Sequence, residues 1–77
     1  MVDMSSGIAV QLGARIRALR TTRGYTIESF AQKLGFSWIT VSRYERGKST
    51  PNIDRLHHIA EVLDVSIEDL VSDSEHD

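Results

Sequence analysis

Between Trp38 and Thr50 the chain sets a run of hydrogen-bonding side chains at short spacing: Ser42, Arg43 and Arg46, then Lys48, Ser49 and Thr50. Guanidinium, ammonium and hydroxyl groups in that order suit a surface rich in anionic and carbonyl oxygens. An arginine fork fits two adjacent acceptors at once, and hydroxyls and cations fit phosphate. Covalent catalysis is a poor match. Serine, histidine and aspartate all occur, yet no nucleophile elbow or glycine-rich phosphate loop draws them together. His57 and His58 are neighbours, about 100° apart on a helix, so they cannot chelate one ion together. With His76 near the end and no cysteine, no metal site, disulfide or cofactor is expected. A chain of 77 residues would also struggle to enclose a substrate, so no enzymatic activity is expected.

The segments that must carry these groups read as helices. Residues 1–6 lack periodicity and are expected to form a flexible N-terminus, with one domain over residues 7–71. Ile8, Leu12, Ile16 and Leu19 repeat at helical spacing, and Gly24 is placed to stop that helix. Thr26 is a natural N-cap for a second helix with Phe30, Ala31 and Leu34 inward, closed by Gly35. Ile27 is spaced to extend that apolar face. Ser37 caps a third helix over about residues 38–46, ended by Gly47. A fourth starts near Asn52, with Leu56, Ile59, Ala60 and Leu63 inward, and Ser66 can cap a short fifth carrying Ile67, Leu70 and Val71. Residues 72–77 are acidic without apolar anchors and are expected to be disordered. The expected fold is therefore all-α, a compact five-helix bundle. The second and third helices, over about residues 26–46, form a helix-turn-helix.

Charge is divided along the chain. Residues 1–50 hold eight Lys/Arg against three Asp/Glu, a net of +5, and residues 51–77 hold one Arg against eight acids, a net of −7. The first part thus suits a polyanion and the second does not. The longest apolar run, Ile8-Ala9-Val10, is three residues, too short for a membrane span or a signal peptide. A soluble, intracellular protein without membrane contact is expected.

On the third helix, Val41 marks the inner face. At about 100° per residue, Tyr44 and Glu45 fall within about 60° of it, whereas Ile39, Arg43 and Arg46 fall about 140–200° away. Ser42 and Trp38 lie on one flank. A polar and basic outer face on the second helix of such a pair is the form that enters a DNA major groove.

The ordered set Leu12-Gly13-Ala14-Arg15-Ile16-Arg17-Ala18-Leu19-Arg20, Gly24-Tyr25-Thr26 and Phe30-Ala31-Gln32-Lys33-Leu34-Gly35-Phe36-Ser37 runs on through Thr40-Val41-Ser42-Arg43-Tyr44-Glu45-Arg46-Gly47-Lys48. Pro51, Leu56, Ile59-Ala60, Leu63-Asp64-Val65-Ser66 and Leu70 complete it. It resembles the single-domain members of the Cro/cI-type (XRE) helix-turn-helix family, whose fold is lambda-repressor-like. The resemblance implies a transcription regulator, a repressor in the expected sense, that binds double-stranded DNA as a homodimer in the cytoplasm at the nucleoid. It also implies that Arg20 and Glu45 pair, locking the recognition helix to its scaffold. Two departures stand out. Ile27 occupies a position where the family often has a phosphate-touching glutamine, and Trp38-Ile39 are apolar where polar base readers are common.

For base contacts the candidates are Trp38, Ile39, Ser42 and Arg43. Arg43 matches O6 and N7 of guanine, and Ile39 can pack on thymine methyls. Trp38 can either pack on the second helix or touch a sugar or methyl. For phosphate the candidates are Thr26, Arg46, Lys48, Ser49 and Thr50, a ring that Arg17 and Arg23 either extend or leave for solvent. Useful specificity needs two half-sites about one helical turn (~34 Å) apart, and the expected dimer contact is Ile67, Leu70 and Val71, which otherwise seal the monomer's core. The competing readings are an antitoxin-type regulator with a toxin partner, and a module that docks on another protein through Trp38 and Ile39.

Overall fold

Four of the five helices begin at a side-chain oxygen that accepts an N–H of the first turn. The computed structural model describes residues 4–71, as α1 (Met4–Thr22), α2 (Ile27–Leu34), α3 (Trp38–Glu45), α4 (Ile53–Leu63) and α5 (Ile67–Val71). The loose reading of residues 1–3 and the disordered reading of residues 72–77 lie outside the described residues. Thr26 and Ser29 cap α2 reciprocally, Ser29 N donating to Thr26 Oγ1 at 3.0 Å and Thr26 N to Ser29 Oγ at 2.9 Å. Ser37 Oγ accepts from Thr40 N at 3.1 Å, Asn52 Oδ1 from Arg55 N at 2.9 Å and Ser66 Oγ from Asp69 N at 3.0 Å. Each bond satisfies a donor that the helix itself leaves unpaired.

α1 is longer than its apolar period. It begins at Met4, where the lack of periodicity predicted loose chain up to Ser6. Once a helix is nucleated each further residue adds a hydrogen bond, so a polar first turn extends it without an apolar stripe. Correspondingly, Ile8 at the start of the stripe is 66% exposed and stands outside the core. Among the described residues no helix is long and apolar enough to cross a membrane.

The core is built from Ile16, Phe30, Ala31, Leu34, Val41, Tyr44, Ile59, Ala60, Leu63 and Leu70, with Leu12, Leu19, Tyr25, Phe36, Leu56, Val62 and Val65 packed around it. Ile27 is half-buried and is not among those flanking residues. Its expected role as a core extension is therefore corrected: at the first position of α2 it lies beside the cap, a full turn short of the helix's buried residues. α3 rests on α1 and α2, while α4 packs on α2 and α5.

Two glycines let α1 approach α3 at backbone distance. A Cβ on buried Gly13 would lie 2.6 Å from the Glu45 carbonyl oxygen and closer still to that of Tyr44. Just past α3, Gly47 has φ +71° and faces the Val10 backbone, whose Cα would be 2.9 Å from an added Cβ. The end of α3 is thus seated on α1 with no side chain between.

Asp64 ends α4 in the left-handed region, with φ 60°. A carboxylate there also meets the negative end of the helix dipole. Asp64→Gly removes both the strain and that repulsion, and is expected to stabilise the fold by about 1 kcal/mol. Urea unfolding of the two proteins checks this.

Candidate DNA interface

The exposed face of α3 is defined by how its back is held. Val41 and Tyr44 are buried in the core. Glu45 is drawn in by Arg20 of α1: Arg20 Nε donates to Glu45 Oε2 at 2.5 Å and Nη2 to Oε1 at 3.1 Å, with only 10% and 5% of the two side chains exposed. Arg20 Nη1 also donates to the Tyr25 carbonyl at 2.8 Å. One guanidinium therefore joins α1, the turn before α2 and the last residue of α3. A buried, two-pronged pair of this kind fixes orientation more than a surface pair does.

The opposite side of α3 is open. Trp38 and Ile39 are 53% and 54% exposed. Arg43, Arg46, Lys48 and Thr50 are exposed, and Ser42 and Ser49 are half-buried. Arg46 is the C-cap of α3, so the cation sits where the chain leaves the helix. Among the described residues, Arg43, Arg46 and Lys48 form no ion pair. Most of the groups named for base and phosphate contact on α3 and its following loop thus face solvent, while Thr50 also rims a groove beside α1 and α4. Trp38 packs partly against the second helix and its turn. Its side chain walls a shallow cleft with Glu28, Ala31, Gln32, Phe36 and Ser37, while half of it stays in solvent.

The remaining candidates differ in how they are held. Arg23 is tied down, its Nε donating to the Leu63 carbonyl at 2.7 Å at the end of α4, so it braces that helix end. Arg17 remains exposed. The Thr26 hydroxyl and amide are both used in the α2 cap. Leu70 is fully buried, which corrects its placement in a dimer contact. A five-residue helix has about one inward position, and Leu70 takes it, four residues on from the Ser66 cap. Ile67 is half-buried and Val71 is 53% exposed. Val71 and Leu70 line an apolar groove of about 430 Å³ together with Ile8, Leu12 and Leu56, rimmed by Gln11, Arg15 and Thr50.

Of the two described histidines, only His58 is bound to another part of the fold. His57 is exposed, and His58 Nε2 donates to the Leu34 carbonyl at 2.9 Å. No cluster of three His, Cys, Asp or Glu side chains able to hold a metal ion occurs among the described residues. Gly13 and Arg55 escaped the sequence reading as site-forming residues. The signal for Gly13 was present, because a glycine inside a strongly periodic helix usually marks a close approach. For Arg55 there was none, since its partners are distant in sequence.

A short helix held from behind by buried contacts and presenting cations and apolar groups outward has the form of the recognition helix in a helix-turn-helix protein. The chain belongs to the HTH_3 helix-turn-helix family, whose model matches residues 16–70. The Cro/cI-type (XRE) proteins, DNA-binding transcriptional regulators and not enzymes, form this family. Over 58 residues the chain is 41% identical to the uncharacterized HTH-type transcriptional regulator YazB of Bacillus subtilis, spanning 75% of this chain and 84% of that protein. It spans only half the length of an HTH-type regulator of Sinorhizobium medicae, to which it is 30% identical over 70 residues. The fold is shared with the restriction-modification controller protein C.AhdI of Aeromonas hydrophila, at TM-score 0.77 and 31% identity over 80% of this chain and 94% of that one. It is also shared with the biofilm master regulator SinR, solved in complex with DNA, at TM-score 0.75 and 35% identity over 79% and 98% of the two chains.

Proposed function

We propose that this protein is a sequence-specific transcriptional regulator, a repressor in its expected sense, that inserts α3 into the major groove of double-stranded DNA. The observation that carries the reading is the two-sided character of α3: Val41, Tyr44 and Glu45 are locked to the scaffold, and Ile39, Arg43 and Arg46 are left outward. Arg43 reads a guanine edge, Ile39 and Trp38 meet thymine methyls or sugar, and Ser42 contributes weaker discrimination. Arg46, Lys48, Ser49 and Thr50 hold phosphates. At the start of α2, where Thr26 is committed to its cap, the N–H groups of Ile27 and Glu28 are the donors left for a phosphate.

Two copies related by a two-fold axis would engage two half-sites. The contact surface proposed for them is Ile67 and Val71 with the neighbouring apolar groove of Ile8, Leu12 and Leu56. The protein would act in the cytoplasm, at the nucleoid. The half-exposed Trp38 and Ile39 also favour a second reading, in which this edge docks on a toxin or another regulator protein.

Binding measured against salt separates the two. A DNA-binding face loses affinity steeply as salt rises, because phosphate contacts release counterions, and a flat response would sink this reading. Arg43→Ala is expected to cost about 1–3 kcal/mol at one base pair and to relax preference there. Uniform weakening over all sequences would instead assign Arg43 to phosphate.

A further inference from the structure

A helix that reads bases must keep one tilt relative to the loop that holds phosphates. α3 packs on α1 and α2, and a long side chain reaches it from α4. Arg55, in the first turn of α4, lies over the Phe36 ring with its guanidinium carbon 4.4 Å from the centroid. Its Nη1 donates to Tyr44 Oη at 2.8 Å. Phe36, in the turn between α2 and α3, meets the Tyr44 ring edge-on at 6.4 Å. Three residues further along α4, on the same face, His58 holds the Leu34 carbonyl and sets its ring edge-on to Phe36 at 6.0 Å. Two side chains of α4 thus grip the end of α2, the turn and the inner face of α3.

We propose that Arg55 is a positioning residue for DNA reading. Acting through Tyr44 and Phe36, it sets the tilt of α3 against the loop of residues 46–52 that leads into α4. It therefore sets the register between base contact by Arg43 and phosphate contact by Lys48, Ser49 and Thr50. This rests on the DNA-binding reading above. Although Arg55 is exposed overall, its flat face stacks on an aromatic ring and its Nη1 donates to a phenol oxygen, the cation and donor contacts an arginine makes to protein groups. A residue whose task was to meet phosphate would hold its fork outward.

The test compares Tyr44→Phe, Arg55→Gln and the double variant with the unmodified protein. The probes are a duplex that the unmodified protein selects from a random DNA pool and a shuffled duplex of the same composition. Circular dichroism first verifies that each variant is folded at the working temperature. Each single variant is expected to bind the selected duplex about fivefold more weakly, the size of one net hydrogen bond. Affinity for the shuffled duplex and the salt slope should be unchanged, and the double variant no worse than either single one. Unchanged preference in Tyr44→Phe would overturn the proposal. So would Arg55→Gln weakening both duplexes alike with a salt slope smaller by about one, the mark of a phosphate contact. An unmodified protein that selects no duplex would overturn the DNA reading itself, and this proposal with it.

Discussion

Glu45→Ala is expected to bring the domain close to unfolding. The substitution leaves the Arg20 guanidinium, with only 10% of its side chain exposed, facing a void where both carboxylate oxygens had been. Removing one partner of a buried pair typically costs about 3–5 kcal/mol, because the remaining charge is neither hydrated nor neutralised. A small domain has only about 5–15 kcal/mol to lose. The origin of the loss is diagnosable. Pairing Arg20→Met with Glu45→Leu should recover most of it, since apolar groups of similar volume remove the stranded charge. Full recovery is not expected, because the Tyr25 carbonyl also loses its donor. Urea unfolding of the two single variants and the pair measures these terms. A Glu45→Ala protein as stable as the original would mean that the pair is a surface contact of little consequence.

Gly13→Ala is the second large effect, and its sign opposes helix propensity. Alanine in a helix interior is favoured over glycine by about 1 kcal/mol. At Gly13, however, the added methyl would sit 2.6 Å from the Glu45 carbonyl oxygen, and what obstructs it is backbone, which cannot rotate away. Overpacking of this kind costs about 1–3 kcal/mol and more where nothing can yield, so the clash wins and net destabilisation of about 2 kcal/mol or more is expected. For a domain of this size that lowers the thermal midpoint by roughly 10 °C. Gly7 supplies the control. A Cβ there meets nothing within 4 Å, so Gly7→Ala on the same helix should be neutral or raise the midpoint. Two Gly→Ala changes moving the midpoint in opposite directions would locate the α1–α3 contact without a complex structure.

These effects show which parts of the fold were open to reading in the chain. Caps were legible because they are local: Thr26, Ser37, Asn52 and Ser66 each lie next to the helix they start, and each accepts from it. The inner face of α3 was legible because helical period alone separates Val41 and Tyr44 from Ile39 and Arg43. Contacts between distant segments were not. Arg23 reaches across 40 residues to the Leu63 carbonyl, and Arg55 reaches back to Tyr44 and Phe36. Nothing in local spacing distinguishes such arginines from solvated ones. Leu70 illustrates a different limit. In a helix of five residues the period is too short to tell a core position from an interface position, and burial decided it. The start of α1 was misread for the converse reason, since a helix can run on through residues that bury nothing.

For the site, the consequence is a division of labour between buried and exposed groups of α3. Gly13, Arg20, Val41, Tyr44 and Glu45 determine where the helix lies. Trp38, Ile39, Ser42, Arg43 and Arg46 are the groups proposed to touch DNA. Under the proposed function, the apolar pair at the front of the helix would favour sites read in part through thymine methyls, with Arg43 supplying the strongest polar discrimination. Substitutions in the first group should lower stability and binding together, whereas those in the second should alter binding with stability unchanged.

The most direct test of α3 as a sequence-reading element is selection of bound duplexes from a random DNA pool by the full chain at moderate salt. Enrichment of two inverted half-sites about one helical turn apart is expected. Each half-site should carry a guanine next to thymine-containing positions, and the guanine preference should vanish in Arg43→Ala. Failure to enrich any sequence, or the same enriched sequence from Arg43→Ala as from the unmodified protein, would contradict it.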